Sequence, residues 1–161
     1  GSFTGVRIAA SIIQGAALGA GLPVVPVSSL QAIAQGAARD RGAACILSAL
    51  DARMREVYWG AYRVDAAGIM QAVIDEMVCA PQQVLVPDGD GWSAAGSGWK
   101  SYADVLGPRC GVGLPVDGAA LVHAQDVARV ARTLFADGVA VTAEQALPVY
   151  LRDEVAWAKQ P

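Results

Sequence analysis

The spacing of apolar positions changes along the chain, and the changes mark out helices and strands. Between Val6 and Leu18 the apolar residues are Val6, Ile8, Ala9, Ile12, Ile13, Ala16, Ala17 and Leu18. They surround most of a helix, more than an open surface would carry, so Ile8 and Ile12 are expected to face a sheet. Ala9, Ala10, Ser11, Gly15 and Gly19 are small enough to let another element come close. Thr4 is the expected N-cap, with Gly19 or Gly21 as the stop. Leu22-Pro23-Val24-Val25-Pro26-Val27 reads as a short buried strand, covered on both faces and paired on both edges. Ser28 or Ser29 then caps a helix running to about Arg41, with Leu30, Ile33, Ala34 and Ala37 as its buried stripe.

From Ala43 the pattern becomes that of strands. Ala44 to Leu50 is a buried strand, Asp51 to Met54 a turn, and Val57 to Val64 a strand rich in aromatic and β-branched residues. Ala66-Ala67-Gly68 turns the chain into a third strand, Ile69 to Val78, completing a meander. Ala80 to Val86 reads as a short helix and Pro87 to Gly91 as a loop. Trp92 to Ala95 is another strand, followed by Gly96-Ser97-Gly98 and a helix near Tyr102 to Leu106. His123 to Phe135 is an amphipathic helix, with Val127, Val130, Ala131 and Leu134 opposite Asp126, Arg129 and Arg132. Helices and strands in this succession predict an α/β fold, with a lobe boundary near Gly42.

Composition narrows the function classes. The 161 residues are 54% hydrophobic and 17% charged, as in a globular chain able to bury a core. A net charge of −3 supplies no broad basic footprint for nucleic acid. Cys45, Cys79 and Cys110 are scattered, with no C-x-x-C pair. That pattern points to reduced thiols in a cytoplasmic protein rather than a disulfide framework. No apolar run approaches the roughly 18 residues of a membrane span.

Candidate chemistry is sparse. His123 is read as a polar helix-end residue, and one histidine with no neighbouring nucleophile makes no Ser-His-Asp set. Asp88-Gly89-Asp90-Gly91 resembles the start of a calcium loop, but Trp99 stands where the bidentate Glu belongs; a tight turn is the better reading. Gly96 and Gly98, between strand and helix, could turn backbone amides toward a phosphate, although no G-K-[ST] follows and a plain turn is favoured. Ser2 and Thr4 could cradle an anion at the first helix start, with capping as the simpler account. Asp51, Arg53, Arg55 and Glu56 form a charged turn between apolar strands, exposed to solvent or touching a partner.

Longer motifs carry more. Gly1-Ser2-Phe3-Thr4-Gly5-Val6-Arg7-Ile8, Leu22-Pro23-Val24-Val25-Pro26-Val27-Ser28-Ser29-Leu30, Asp51-Ala52-Arg53-Met54-Arg55-Glu56-Val57-Tyr58 and Pro148-Val149-Tyr150-Leu151-Arg152 resemble, in order, G-P-G-S-F-T-G-x-R-I, I-P-V-x-x-V-S-S-L, D-A-R-x-x-E-V-Y and P-x-Y-L-R of the TsaB (YeaZ) family. The resemblance implies a two-lobe RNase H-like fold of the actin, Hsp70 and sugar-kinase superfamily. The family's opening β-hairpin and first strands would precede Gly1, so the first lobe is expected to be truncated here. Residues 1–41 would be its remainder and 42–161 the second lobe, with the C-terminal end packing back on the first.

The resemblance also implies a role: a non-catalytic partner of TsaD in making tRNA threonylcarbamoyladenosine, in the cytoplasm. The alternative is a metal-dependent, glycoprotease-like peptidase or a weak ATPase. TsaD carries V-N-H-x-x-x-H on its second helix, and two His four apart can share one metal. Ser29 and Ile33 stand at those positions, so no metal site and no cofactor are expected in this chain, ATP or ADP being confined to a complex interface. Since the family pairs through first-lobe helices, Arg7, Ala10, Ser11, Gln14 and Leu18 are the expected partner surface. TsaD is the expected partner, with the ATPase TsaE or a second copy as others, and tRNA only indirectly.

Overall fold

Strand-forming residues from Cys45 onward assemble into one sheet, and a computed structural model describes it within residues 3–111 and 115–152. The helices α1 (Phe3–Ala20) and α2 (Ser29–Arg41) come first, then β1 (Cys45–Arg53), β2 (Glu56–Val64), β3 (Met70–Ala72) and β4 (Met77–Cys79). A 3-10 turn at Pro81–Gln83 leads to β5 (Trp92–Ala95), α3 (Ser97–Ser101), α4 (Ala103–Cys110), β6 (Val116–Asp117) and α5 (Ala124–Ala136). A second 3-10 turn lies at Ala143–Gln145.

The sheet order is β3-β2-β1-β5-β6, with β4 also on β2. β1 and β2 pair antiparallel, whereas β5 joins β1 and β6 joins β5 in parallel. β3 meets Tyr62 to Val64 and β4 meets Val57 to Trp59. The expected third strand is therefore one edge strand interrupted at residues 73–76.

Side chains of β1 alternate between two cores. Leu47 and Ala49 join Trp59, Trp92, Trp99 and Leu106 under α3 and α4. Ile46 joins Tyr62, Met70 and Ala95 under the Leu30, Ile33, Ala34 and Ala37 stripe of α2, as its spacing predicts. The expected boundary at Gly42 falls between α2 and β1, two elements that share this second cluster. Ser28 is the N-cap of α2, its Oγ accepting from the backbone N–H of Leu30 at 3.1 Å and Gln31 at 3.4 Å. Gly42 ends the helix in the left-handed conformation, φ 65°. α5 is tied to α2 by Arg39, whose guanidinium donates to both carboxylate oxygens of buried Asp126 at 3.0 Å.

Several local expectations are corrected. Thr4 lies inside α1, which begins at Phe3, so it cannot be the N-cap. Residues 22–27 form no strand of the sheet. Val24 instead makes an isolated antiparallel bridge to Val141, and Leu22 is exposed. Pro23 and Pro26 flank that bridge and lack the N–H a longer ladder needs. The helix expected over Ala80 to Val86 shrinks to a single 3-10 turn. The one expected at Tyr102 to Leu106 becomes α3 and α4, broken at Tyr102 with φ −131°.

Candidate functional site

α1 touches the rest of the molecule on a narrow side. Among the described residues of α1 only Ala17 is buried, with Val6, Ala10 and Gln14 half-buried on the same stripe. Ile8 (54% exposed), Ile12 (67%), Ile13 and Leu18 (65%) stand in solvent, so the described residues supply no sheet for Ile8 and Ile12 to face. The reason is geometric: the sheet lies under α2, and α1 rests on the turn at Ala143–Gln145. Among the residues expected to meet a partner, Arg7, Ser11 and Leu18 are on the exposed side, whereas Ala10 and Gln14 line the side facing the body. A shallow recess lined by Thr4, Arg7, Ile8, Ser11 and Ile12 runs along the exposed face. Thr4 is exposed there, and Ser2 lies outside the described residues.

A tether holds the N-terminal half of α1. Arg7 donates from Nε to the Tyr150 hydroxyl at 2.8 Å, with its guanidinium 5.6 Å from the centre of that ring. Sequence reasoning missed this pair, although both residues stand in quoted motifs.

The positions that would correspond to a metal-binding pair are occupied otherwise. Ser29 is the exposed first residue of α2, and Ile33 is 1% exposed in the apolar cluster with Ile46 and Tyr62. His123 precedes α5 and makes no side-chain cap. Among the described residues no group of His, Cys, Asp and Glu is placed to hold a metal ion.

The hairpin joining β1 to β2 is braced and strained. Met54 and Arg55 form its two-residue turn with φ 52° and 62°, the sign that a type I′ hairpin requires at both positions. The register slips between Asp51 and Arg53, and Arg53 also has a positive φ, 63°. Each costs about 1 kcal/mol in a residue with a Cβ. Asp51 anchors the base, accepting from the Arg53 N–H at 2.8 Å and Ser101 Oγ at 3.2 Å, while its own N–H donates to Ser97 Oγ at 3.2 Å. Burial, then the Asp51 charge, pushes the neighbouring Tyr102 hydroxyl up from its ordinary pKa, and Arg53 and Arg55 oppose the shift. Arg152 donates to the Ala52 carbonyl at 3.1 Å and pairs with Glu56. Two quoted motifs, about a hundred residues apart, thus close on each other.

Gly96 and Gly98 are explained by contact with β1. A Cβ on Gly96 would lie 2.3 Å from the Ala49 carbonyl oxygen, and one on Gly98 2.8 Å from the Ala49 Cβ. This approach lets Trp99 reach the core, its Nε1 donating to the Leu47 carbonyl at 2.9 Å. The thiols of Cys79 and Cys110 are not activated. Burial pushes Cys110 up to about 11, and burial followed by the Glu56 charge raises Cys79.

Comparison with known proteins matches these elements to a family. Residues 1–146 fit the family model described as TsaD: tRNA N6-adenosine threonylcarbamoyltransferase. The Escherichia coli K12 protein named tRNA threonylcarbamoyladenosine biosynthesis protein TsaB is 45% identical, covering 100% of this chain and 71% of that protein. Its Haemophilus influenzae namesake is 37% identical, covering 100% and 70%. The solved structure of YeaZ from Pseudomonas aeruginosa superposes with a TM-score of 0.86 at 43% identity, over 93% of this chain and 70% of that one. A second Pseudomonas aeruginosa structure, described as an uncharacterized protein with similarity to peptidase YEAZ, gives 0.87 at 43% identity, over 94% and 69%. The mixed sheet with helices on both faces is accordingly the two-lobe RNase H-like fold of the actin and Hsp70 superfamily. Sequence identity across the whole chain and close superposition agree, and the chain belongs to the TsaB (YeaZ) family.

Proposed function

We propose that this chain serves tRNA threonylcarbamoyladenosine biosynthesis in the cytoplasm as a non-catalytic subunit, docking on a TsaD-type enzyme through the exposed face of α1. The observation that carries the reading is the exposure of Ile8, Ile12, Ile13 and Leu18 on a single helix with no acidic residue. A contiguous apolar face of this kind is costly to leave in water and is typical of protein contact surfaces. The absence of its own chemistry is supported by Ile33, which packs in a core where a ligand would be needed. It is supported again by Gly96 and Gly98, whose missing Cβ atoms leave room for Ala49 rather than for a phosphate. The relatives' printed names supply the pathway.

Titration calorimetry with the purified TsaD-type enzyme of the same genome tests the reading. Ile12→Arg, placing a charge on the exposed face, is expected to abolish binding and co-elution while the circular dichroism spectrum stays that of the parent. Undiminished association of Ile12→Arg would sink the docking face.

A further inference from the structure

We propose that the partner footprint extends from α1 across residues 147–152 to the Arg53-Met54-Arg55 hairpin tip, which meets carboxylates on the same partner protein. This rests on the docking of α1 proposed above and adds a second, electrostatic half to it.

The two ends are joined by a short strap. Tyr150 is held by Arg7 of α1, and Arg152 is held by Ala52 and Glu56 of the hairpin. Tyr150 and Arg152 are separated by one residue, so their backbones are at most about 7 Å apart. The strap itself is exposed and apolar: Leu147 is 67% and Val149 81% exposed. At its far end Met54 is 77% exposed, with Arg152 Nη1 3.7 Å from its sulfur. Exposed apolar side chains thus stand at both anchors of the strap, Ile8 and Ile12 on α1 and Met54 on the hairpin, and on the strap itself at Val149.

Charge names the occupant. Among the described residues, Arg53 and Arg55 are exposed and make no side-chain hydrogen bond or ion pair, whereas nearby Glu56 is neutralised by Arg152 and Asp51 is engaged by Ser101. The tip therefore presents guanidinium groups in a chain whose net charge is −3. Met and Arg together are the composition of protein contact surfaces, and a thioether between two arginines has no function on a phosphate backbone. The backbone strain has the same direction. Asn-Gly or Asp-Gly would relax a turn of this type, yet Met54 and Arg55 hold it. The bracing from Asp51 and Arg152 keeps the backbone of the turn ordered before contact, which lowers the entropy lost on binding.

The test is calorimetry of the intact protein with its TsaD-type enzyme, using Arg53→Glu and Arg55→Gly beside Ile12→Arg. Arg53→Glu should weaken binding about tenfold and flatten its dependence on salt between roughly 50 and 300 mM. Arg55→Gly should raise Tm by roughly 2–5 °C, because glycine relieves the positive φ, while weakening binding several-fold. A turn with only a structural role would gain stability and keep its affinity. If Ile12→Arg abolishes binding and both tip variants bind like the parent, this inference is overturned and the docking of α1 stands. If the parent itself does not bind, both fall. A parallel titration with tRNA alone guards the choice of occupant: loss confined to tRNA on Arg53→Glu would overturn the protein contact and put RNA at the tip.

Discussion

α1 and α2 are neighbours in sequence and opposites in the fold. α1 has 18 residues and the denser apolar content, yet buries only Ala17; α2 has 13, carries Gln, Arg and Asp, and buries seven from Leu30 to Ala37. The difference lies underneath them. α2 crosses a sheet whose β1 and β2 offer Ile46 and Tyr62, whereas α1 has a single 3-10 turn and the Val24–Val141 bridge beside it. Apolarity states what a helix would gain by burial. Whether it is buried in its own chain depends on which surface the rest of the chain supplies.

The same residue type in the two helices gives the sharpest contrast. Ile33→Ala should cost about 2–5 kcal/mol, because a buried methyl-bearing side chain leaves a cavity between helix and sheet. Ile12→Ala should stay within about 0.5 kcal/mol, as for exposed positions generally. Urea unfolding of both variants measures this. Equal costs would mean that α1 is covered as α2 is.

Alkali should act on both cores, through Tyr62 under α2 and Cys110 at the end of α4. Burial, with the Glu76 charge and hydrogen bond behind it, pushes the Tyr62 hydroxyl far above its ordinary pKa, and burial moves Cys110 to about 11. Both groups have folded pKa values above the unfolded ones, so between those values the unfolded chain binds fewer protons. Stability is then complete below about pH 9 and falls as pH rises, by up to about 1.4 kcal/mol per unit for Tyr62. Half-buried Cys110 contributes less, since solvent screens it. Thermal melts from pH 8 to 11 should show the decline, and Tyr62→Phe should remove the part that sets in above about pH 10. A decline unchanged in Tyr62→Phe would detach the effect from the cluster under α2.

The smallest effect compares two hydroxyls at helix starts. Ser28→Ala removes a cap and should cost about 1 kcal/mol. Thr4→Ala, inside the first turn of α1 and exposed, should change Tm by less than the scatter of replicate melts.

How much was legible follows the reach of each signal. The stripe of α2, its Ser28 cap and the strand Trp92 to Ala95 are legible because spacing and capping act within a few residues. Residues 22–27 misled, since a run of valines reads as strand whether or not a ladder is available. Of the residues expected at a partner surface, Arg7, Ser11 and Leu18 stand on the exposed side of α1, while Ala10 and Gln14 face the body. At the glycines 96 and 98 a phosphate turn stayed open beside the favoured plain turn, because their steric partner, Ala49, is far away in sequence.

The sequence by itself determined that α1, α2 and α5 are helical, where α2 begins and ends, and, through its motifs, the family. Periodicity, caps and turn residues are local, and a motif is a string. The tertiary structure alone decided that α1 faces water, that β5 enters beside β1, and that the chain's last described residues brace its first helix and its strained hairpin. Those outcomes depend on contacts such as Arg7 with Tyr150, 143 residues apart, and Arg152 with Ala52, 100 apart. No local pattern encodes such contacts, because closing a loop of that length is compensated only when the whole set of buried partners forms together.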